Sequence, residues 1–356
     1  MSGGTLTPDR RCGTVGHMHT NQQVLTNTKR RDFLWCPRYF YHRHEQRLEL
    51  VAKSRGRRRG TIFGDALQAA RDAMAENDLP GMYQAAHSVI ESAYADLVED
   101  VNSQGEHDSL EVERAKIEVM VAAYISRYGL AARREVEFDL PLRNPFSGSP
   151  SRAFRRGGKL DGLEVIGTHR ARIVEDKFVQ QIQKAMIDRL PLDMQSSEYV
   201  DALADRGWDA EVAFRHTRYP GVSPTKEKIP PALTPGGKES KAKYVPAETI
   251  AEFGARLEKD VGERPEHYFD EQIVLFPKQH LESYRKGRYG VAKMILHARS
   301  LEREFDWEMA YPQNPSRCAE YGGCAFLPLC LGREGAMDRY KVVQDNVELT
   351  GGEDGE

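Results

Sequence analysis

Two acids and one lysine near the middle of the chain have side chains and a spacing that suit metal-dependent chemistry. Asp161 lies in a short strand predicted at residues 157–163, and Glu175 and Lys177 lie in a second strand predicted at residues 172–179. Side chains alternate between the two faces of a strand, so Glu175 and Lys177 point the same way. If the strands are neighbours, all three side chains converge. Two carboxylates beside an ammonium are what a divalent cation and a scissile phosphate require.

The elements that must position these residues are helices and strands in mixed order. Helical apolar spacing and period-two alternation distinguish the two kinds of segment. The predicted segments are a helical start at residue 60, helices at 82–101 and 112–128, a strand at 134–140, the two strands above, a helix at 181–206 broken by Pro191, and a strand at 210–218. The order helix, three strands, helix, strand predicts an α/β fold with a mixed sheet.

The sequence after residue 218 predicts a long irregular loop, followed by two helices and a strand. Residues 220–246 are rich in proline and glycine and would either close over a substrate or form a plain surface excursion. Helices are predicted at 247–261 and 279–305, and a strand at 268–276.

The ends and the composition bound the fold. The chain has 356 residues, enough for one large domain or two small ones. Residues 1–30 are polar and predict a mobile arm, and residues 338–356 predict a disordered acidic tail. No apolar stretch reaches about 18 residues, so we expect no membrane partner. The five cysteines are an odd number without a secretion signal, which favours a reducing cytoplasm.

Local basic clusters would have to carry any contact with nucleic acid, because the net charge of the chain is −3. The two clusters are Arg55, Arg57, Arg58 and Arg59 in one segment, and Arg155 with Arg156 before the first acid-bearing strand. The alternative for each cluster is a solvated charged loop.

Three cysteines near the end of the chain have a ligand-like spacing. Cys318, Cys324 and Cys330 form a C-x5-C-x5-C pattern, and three thiolates need a fourth ligand for zinc or an iron–sulfur cluster. Cys36, in an aromatic-rich segment, is the natural fourth ligand, although an inert buried thiol is the alternative. The spacing leaves zinc and iron–sulfur open, while paired C-x2-4-C knuckles of structural zinc sites are absent.

These motifs together resemble a known nuclease family. Asp161 followed by Glu175-Asp176-Lys177 resembles the D…(D/E)-x-K motif of the PD-(D/E)XK nucleases. Gln195 and Tyr199 are similar to the Q-x3-Y helix motif of its RecB-like branch. The four cysteines are similar to the iron–sulfur subset of that branch, which includes CRISPR-associated adaptation nucleases and phage exonucleases. The resemblance covers about residues 32–335.

The resemblance implies a restriction-endonuclease-like αβββαβ core within a single nuclease domain at residues 31–335. The parts of that domain would be a helical insertion at 60–130, a catalytic core at 110–218, a flap at 220–246, and a cysteine-ligated cluster region formed by residue 36 and residues 318–330.

The resemblance also implies a role for each motif residue. Asp161, Glu175 and the backbone carbonyl of Asp176 would hold Mg²⁺ or Mn²⁺. Lys177 would orient the attacking water and stabilise the transition state. Gln195 and Tyr199 would position the DNA strand, and Arg155 and Arg156 would contact DNA. Cys36, Cys318, Cys324 and Cys330 would hold a 4Fe–4S cluster, with Zn²⁺ as the alternative.

Two positions depart from the family pattern. Family members commonly carry a histidine ligand in a G-x3-H segment, whereas Gly64 stands at that place after Gly60. Either Asp65 replaces the histidine by a shift of one residue, or the ligand is lost. The late cysteines also depart from the commoner C-x2-C-x5-C form.

The implied function is a metal-dependent DNA exonuclease that hydrolyses phosphodiester bonds in recombination, repair or phage DNA processing. Its substrate would be linear duplex or single-stranded DNA, in a bacterial or phage-infected cytoplasm. A recombination or repair protein would be a partner, and the resemblance leaves room for an oligomer. Two alternatives stay open: a catalytically reduced nuclease-fold subunit that binds DNA, and a CRISPR-type nuclease that processes spacers.

Overall fold

The structure is a computed structural model that describes residues 22–51, 55–75, 81–99, 101, 103–130, 136–228, 244–320 and 323–344. The helices are α1 (Asn27–Trp35), α2 (Pro37–Phe40), α3 (Arg55–Ala75), α4 (Gly81–Glu99), α5 (Gln104–Tyr128), α6 (Lys184–Ile187), α7 (Met194–Ala204), α8 (Ile250–Glu263), α9 (Pro265–Tyr268), α10 (Lys278–Glu304), α11 (Trp307–Ala310) and α12 (Leu327–Cys330). The strands are β1 (Gln23–Leu25), β2 (Leu48–Leu50), β3 (Val136–Arg143), β4 (Pro150–Leu160), β5 (Gly162–Gly167), β6 (Arg170–Val179), β7 (Asp209–Arg218), β8 (Phe269–Leu275) and β9 (Tyr340–Val342).

The described strands form three sheets of mixed direction. The largest has the order β5-β6-β7-β8, with β6 and β7 parallel and both outer pairs antiparallel. Helix α7 lies in the connection between the two parallel strands, as a parallel pair requires. A second sheet has the order β1-β4-β3, and β2 pairs with β9. The predicted α/β class with a mixed sheet is therefore confirmed.

The strands before α7 differ from the prediction. The strand predicted at residues 157–163 is the end of β4 and the start of β5, with a bend at Asp161. Strand β4 pairs with β3, whereas β5 pairs with β6, so four strands in two sheets stand where three were predicted. The first half of strand β4 was not predicted, because its charged residues obscure the alternation of apolar and polar residues expected of a strand.

Most predicted helices are present with small shifts of their ends. Helix α3 begins before residue 60 and α5 begins eight residues before its predicted start, whereas α4, α8 and α10 lie close to their predicted segments. Residues 181–206 form α6, a 3-10 turn at Leu190–Leu192 and α7, because Pro191 cannot continue a helix. The predicted flap falls largely outside the described residues, although a bridge between Lys228 and Val245 closes its base.

Regular structure lies within the described parts of both predicted unstructured ends. The predicted arm ends earlier than residue 30, because β1 pairs with β4 and Thr26 caps α1 by accepting from the Lys29 N–H. Strand β9 lies inside the predicted acidic tail, where the buried Tyr340 hydroxyl donates to the Ala325 carbonyl at 2.6 Å. Residues 1–21, which include Cys12, lie outside the described part of the chain.

Two apolar cores hold the central sheet from its two sides. Helices α3, α4, α5 and α8 form one core, where Phe63 of α3 stacks on Phe178 of β6 with ring centroids 4.4 Å apart. Helix α7 covers β6 and β7 in the other core through Tyr199 and Leu203. In the described part of the chain, no helix is long and apolar enough to cross a membrane.

Candidate active site

Asp161, Glu175 and Lys177 meet where β5 and β6 diverge from the other sheet. The antiparallel register pairs Gly162 with Val174, so Asp161 lies beside Glu175 at the next position. The backbone N–H of Asp176 donates to Asp161 Oδ2 at 3.3 Å. The ammonium of Lys177 donates to Glu175 Oε1. The convergence predicted from strand alternation is therefore present in the structure.

The carboxyl groups at this site are poorly compensated. Glu175 is 0% exposed, and its Oε2 atom is buried with no hydrogen-bond partner. Burial raises the pKa of Glu175 to about 8, with the Asp161 charge adding to the rise and Lys177 opposing it. Burial likewise raises the pKa of Asp161 to about 6.

Lys177 remains a cation that is open to solvent. Burial lowers its pKa, but the charges of Glu175 and Asp161 outweigh that effect, so the pKa of Lys177 is raised. Its side chain is 40% exposed. Lys177 therefore faces both Asp161 and Glu175. Its ammonium group is accessible to a reactant that enters the site.

Asp176 directs its side chain to the opposite face of β6. Its Oδ2 atom pairs with Arg71 of α3 at 2.5 Å, and the Tyr124 hydroxyl of α5 donates to its Oδ1 atom. Burial and the Asp176 charge raise the pKa of Tyr124. These contacts fasten two helices to β6 and commit the carboxylate, so only the backbone carbonyl of Asp176 remains for a cation.

Gln195 and Tyr199 lie one turn apart on α7 and contact each other. The Gln195 amide donates to the Tyr199 hydroxyl at 2.9 Å, and that hydroxyl donates to the Lys159 carbonyl at 2.5 Å. Burial raises the pKa of Tyr199, and the charges of Glu175 and Asp161 contribute. The pair therefore fixes α7 to β4 just before Asp161.

A glycine permits this close approach. A Cβ atom at Gly158 would meet the Phe138 ring at 2.7 Å and the Tyr199 ring at 3.1 Å. No larger residue fits there without moving one of the rings.

Three residues near the site were missed by sequence reasoning. Asp193 caps α7 by accepting from the Ser196 N–H at 2.7 Å, and its charge contributes to the raised pKa of Glu175. An aspartate just after Pro191 and before a helix is an N-cap signal that would have identified it. Arg71 and Tyr124 are found only from the fold, because their partner Asp176 is distant in sequence.

Gly64 and Asp65 are both exposed on α3. A Cβ atom at Gly64 would meet no atom within 4 Å, so nothing in the fold excludes a larger side chain. Among the described residues, no three His, Cys, Asp or Glu side chains are arranged to hold a metal ion, so Asp65 does not join Asp161 and Glu175 in such a group.

The four predicted cysteine ligands lie in one region as free thiols. Burial raises the pKa of Cys330 to about 11, with the charges of Cys324, Cys36 and Cys318 adding to the rise. Burial also raises the pKa of Cys324, while hydrogen bonds from the backbone of Phe326 and Leu327 oppose the change. The sulfurs are thus close enough for their charges to interact.

Segments from both ends of the chain frame these cysteines. Cys36 ends α1 with its N–H bonded to the Asp32 carbonyl at 3.0 Å. On either side of it, the Asn314 amide donates to the Trp35 carbonyl at 2.9 Å, and Arg38 Nε donates to the Tyr311 carbonyl at 2.9 Å. These hydrogen bonds join the segment around Cys36 to the segment that precedes Cys318.

The predicted DNA contact of Arg156 is contradicted by its position. Arg156 is 1% exposed, and its guanidinium pairs with Glu198 and Asp201 of α7 and with Asp205 just after it. A charge can be buried in this way because three carboxylates compensate it. Arg155 is partly exposed but pairs with Asp139 at 2.8 Å.

Comparison with known proteins does not identify a relative. No model of a known protein family matches the sequence, and no curated protein or solved structure matches it significantly. The functional interpretation therefore depends on the motifs of this chain and on the geometry around them.

Proposed function

We propose that the protein is a metal-dependent DNA nuclease with Asp161, Glu175 and Lys177 at its active site. The observation that carries the proposal is the buried Glu175 carboxylate, which faces Asp161 and leaves its Oε2 atom without a hydrogen-bond partner. Strongly perturbed acids in a polar cluster are typical of functional sites. The D…E-x-K and Q-x3-Y motifs support the same conclusion.

The donor set fits a hard divalent cation. Mg²⁺ is commonly held by one or two carboxylates, with waters and substrate oxygens completing its shell. Asp161, Glu175 and the carbonyl of Asp176 would supply the protein ligands. When bound, Mg²⁺ or Mn²⁺ supplies Lewis-acid chemistry at a phosphate group. The raised pKa values of the two acids mean that cation binding has to release protons.

The other residues of the site act on the substrate. The exposed ammonium of Lys177 would orient a water molecule and stabilise negative charge that develops on the phosphate. Tyr199 is committed to the Lys159 carbonyl and holds the Gln195 amide beside the site. Gln195, which is only partly buried, would contact the DNA strand and fix its position.

We further propose that the four cysteines hold a structural 4Fe–4S cluster. The support is four free thiols from the two ends of the chain whose charges interact, a donor set that suits a cluster or, as the alternative, Zn²⁺. No three of these thiols are arranged to hold a metal ion in the described part of the chain, so they would have to draw together around it. Broad visible absorption of anaerobically purified brown protein supports the cluster. Colourless protein with one bound zinc would refute it.

A cleavage assay tests the nuclease proposal. End-labelled linear DNA and covalently closed DNA are incubated with the protein and either Mg²⁺ or Mn²⁺. We expect cleavage of linear DNA only when a cation is present, and we expect Lys177→Ala to abolish it while remaining folded. Lys259→Ala, at an exposed lysine paired with Glu263, is the matched control and should retain activity. Full cleavage by Lys177→Ala would exclude the proposed role of Lys177.

A second candidate is a nuclease-fold subunit that binds DNA without turnover. Gly64, at the place where the family carries histidine, favours this alternative. It predicts DNA binding with no cleavage in either cation, so the same assay separates the two candidates.

A further inference from the structure

A group of three cations lies at the carboxyl end of β7, on the sheet face opposite to Glu175 and Lys177. Arg58 and Arg59 of α3 and Lys116 of α5 form this basic cluster. The ring of Tyr219, just after β7, lies below it, with Arg59 Cζ at 4.2 Å and Lys116 Nζ at 5.0 Å from the ring centroid. The Tyr219 N–H donates to the Val179 carbonyl at 2.7 Å, which fixes the cluster to the end of β6.

The charge of the basic cluster is not balanced. Among the described residues, Glu113 is the one acid paired with the cluster, at 2.5 Å from Arg59 and 3.6 Å from Arg58. The Tyr94 hydroxyl also donates to Glu113, at 2.9 Å. Three cations therefore share one carboxylate.

Lys116 is the cation without an acid of its own. It is 6% exposed, and with the described residues it makes the contact with Tyr219 but no ion pair. Burial and the charge of Arg59 lower its pKa, and the charge of Glu113 opposes them only in part. A nearly buried ammonium without a carboxylate is costly unless an anion supplies the missing charge.

The cluster is open to an anion from one side. The side chains of Arg58 and Arg59 are each 21% exposed above Lys116. A separate cavity of about 420 Å³ near the ends of β6 and β7 is lined by Arg218, Glu266 and Asp270 among others, and none of the three cluster cations lines it. Ligands commonly bind outside the carboxyl ends of parallel strands, which is where the basic cluster lies.

The distance to the candidate active site suits a polynucleotide. Val179 lies four residues beyond Glu175 along β6, a span of about 13 Å along the strand, to which the crossing from one face of the sheet to the other adds. That length corresponds to about four phosphate steps of a B-form strand. A strand that crosses this edge of the sheet would reach both the basic cluster and Lys177.

From the charge imbalance and this position, we infer that Arg58 and Arg59, backed by the charge of Lys116, bind phosphate oxygens of the DNA chain and anchor it near the active site. The inference builds on the proposed DNA substrate. The arginines would contact the phosphate directly, since guanidinium groups suit phosphate oxygens, and Lys116 would supply charge from below.

DNA binding by full-length protein in EDTA tests the inference without any cleavage. Fluorescence anisotropy is measured over a series of salt concentrations for wild type, Lys116→Gln and Arg114→Gln. Arg114 is the matched control, because it lies on the same helix and is close to Glu91 and Glu118. We expect Lys116→Gln to weaken binding and to flatten the slope of log K against log salt by about 0.9 for duplex DNA or about 0.7 for a single strand.

Further variants separate charge from folding. Lys116→Arg should restore the wild-type slope, and Arg114→Gln should keep it. If Lys116→Gln does not fold, Arg58→Gln takes its place, because Arg58 is more exposed. An unchanged slope in Lys116→Gln or in its replacement, or an equal change in Arg114→Gln, would overturn the inference.

Substrate ends identify the phosphate that is bound. If the cluster holds a terminal phosphate, the defect of Lys116→Gln is confined to 5′-phosphorylated linear DNA. If it holds a backbone phosphate, the defect is equal on 5′-hydroxyl and covalently closed DNA. Either result supports the cluster. If wild type cleaves no DNA but Lys116→Gln still weakens DNA binding, only the nuclease proposal is refuted. If wild type cleaves DNA and Lys116→Gln binds DNA as wild type does, only the inference about the basic cluster is refuted.

Discussion

Helix α7 lies between two buried polar centres whose environments shift the pKa of a glutamate in opposite directions. On one side, Gln195 and Tyr199 border the candidate active site. On the other side lies the α7 ion-pair network, which consists of Arg30, Arg156, Arg288, Glu198 and Asp201. All five network residues are nearly inaccessible to solvent.

The difference between the centres is the number of cations for each acid. In the network, three buried arginines and the partly exposed Arg285 face two carboxylates. Arg288 lies 3.0 Å from Glu198 and 2.8 Å from Asp201. Burial raises the pKa of Glu198, but the three arginines overcome it and lower the pKa to about 2. Glu175 has only Lys177, and its pKa rises to about 8. Glu198 and Glu175 are thus equally buried, but Glu198 is part of a structural ion-pair network, whereas the site of Glu175 has too little positive charge.

Breaking the network should have the largest effect on stability. Glu198→Gln leaves Arg30, Arg156 and Arg288 with less than their balancing charge in the interior, and we expect a loss of about 3–5 kcal/mol in the free energy of unfolding. Urea denaturation measures it. Asp205→Asn is the control, because Asp205 also pairs with Arg156 but is 41% exposed, and it should lose far less. Equal losses in the two variants would remove the distinction between buried and exposed partners.

The pH dependence of stability should have opposite signs at the two centres. The folded pKa of Glu175 is raised from 4.5 to about 8, so its contribution to stability is complete below about pH 4.5 and is lost as pH rises toward 8. We expect metal-free wild type to lose up to about 1.4 kcal/mol per pH unit in this range relative to Glu175→Gln. Denaturant titrations from pH 5 to pH 8 measure the difference. A difference that does not change with pH would contradict the buried state of Glu175.

Glu198 should show the reverse trend. Its folded pKa is lowered from 4.5 to about 2, so its contribution is present above about pH 4.5 and is lost as pH falls toward 2. Wild type should therefore lose its advantage over Glu198→Gln in acid. A constant difference between pH 5 and pH 2 would show that the arginines do not hold Glu198 ionised.

Crowding the contact between α7 and β4 should have a smaller effect. Gly158→Ala places a methyl group 2.7 Å from the Phe138 ring, and we expect a loss of about 1–3 kcal/mol together with reduced cleavage. Gly221→Ala is the control, since its Cβ atom would meet nothing within 4 Å. Unchanged stability and activity in Gly158→Ala would show that the rings adapt freely.

Removing the Gln195 amide should have the smallest effect on stability. Gln195→Ala loses one hydrogen bond to Tyr199, which contributes about 0.5–1.5 kcal/mol. Cleavage should fall by a larger factor than this stability loss explains, because the amide would also position DNA. A variant with wild-type cleavage would make Gln195 a purely structural residue.

The sequence predicted the candidate site better than the surrounding framework. Alternation along one strand and an antiparallel neighbour suffice to bring Asp161, Glu175 and Lys177 together, because both are local properties. The burial of Arg156 depends on Glu198 and Asp201, which approach it only through the tertiary fold. In the sequence, Arg155 and Arg156 therefore resemble an exposed basic cluster, and only the fold shows the acids that pair with Arg156.

The boundaries of the strands were predicted incorrectly for a similar reason, because they also depend on tertiary contacts. Strand β4 is held by pairing with β1 and β3, and its charged residues conceal the pattern on which the prediction relied. Spacing alone marked the cysteine region in the sequence, and the structure shows its four cysteines as free thiols whose charges interact. Its chemical occupant, iron–sulfur or zinc, stays a prediction that metal analysis of the purified protein decides.

A titration of Mn²⁺ into metal-free protein, followed by calorimetry at pH 8, tests the central claim most directly. The claim is that Glu175 lacks a balancing charge because it belongs to a cation site. We predict that wild type and Asp205→Asn bind Mn²⁺ equally, that binding weakens toward pH 6, and that Glu175→Gln loses it. Binding of Mn²⁺ by folded Glu175→Gln with wild-type affinity would contradict the claim.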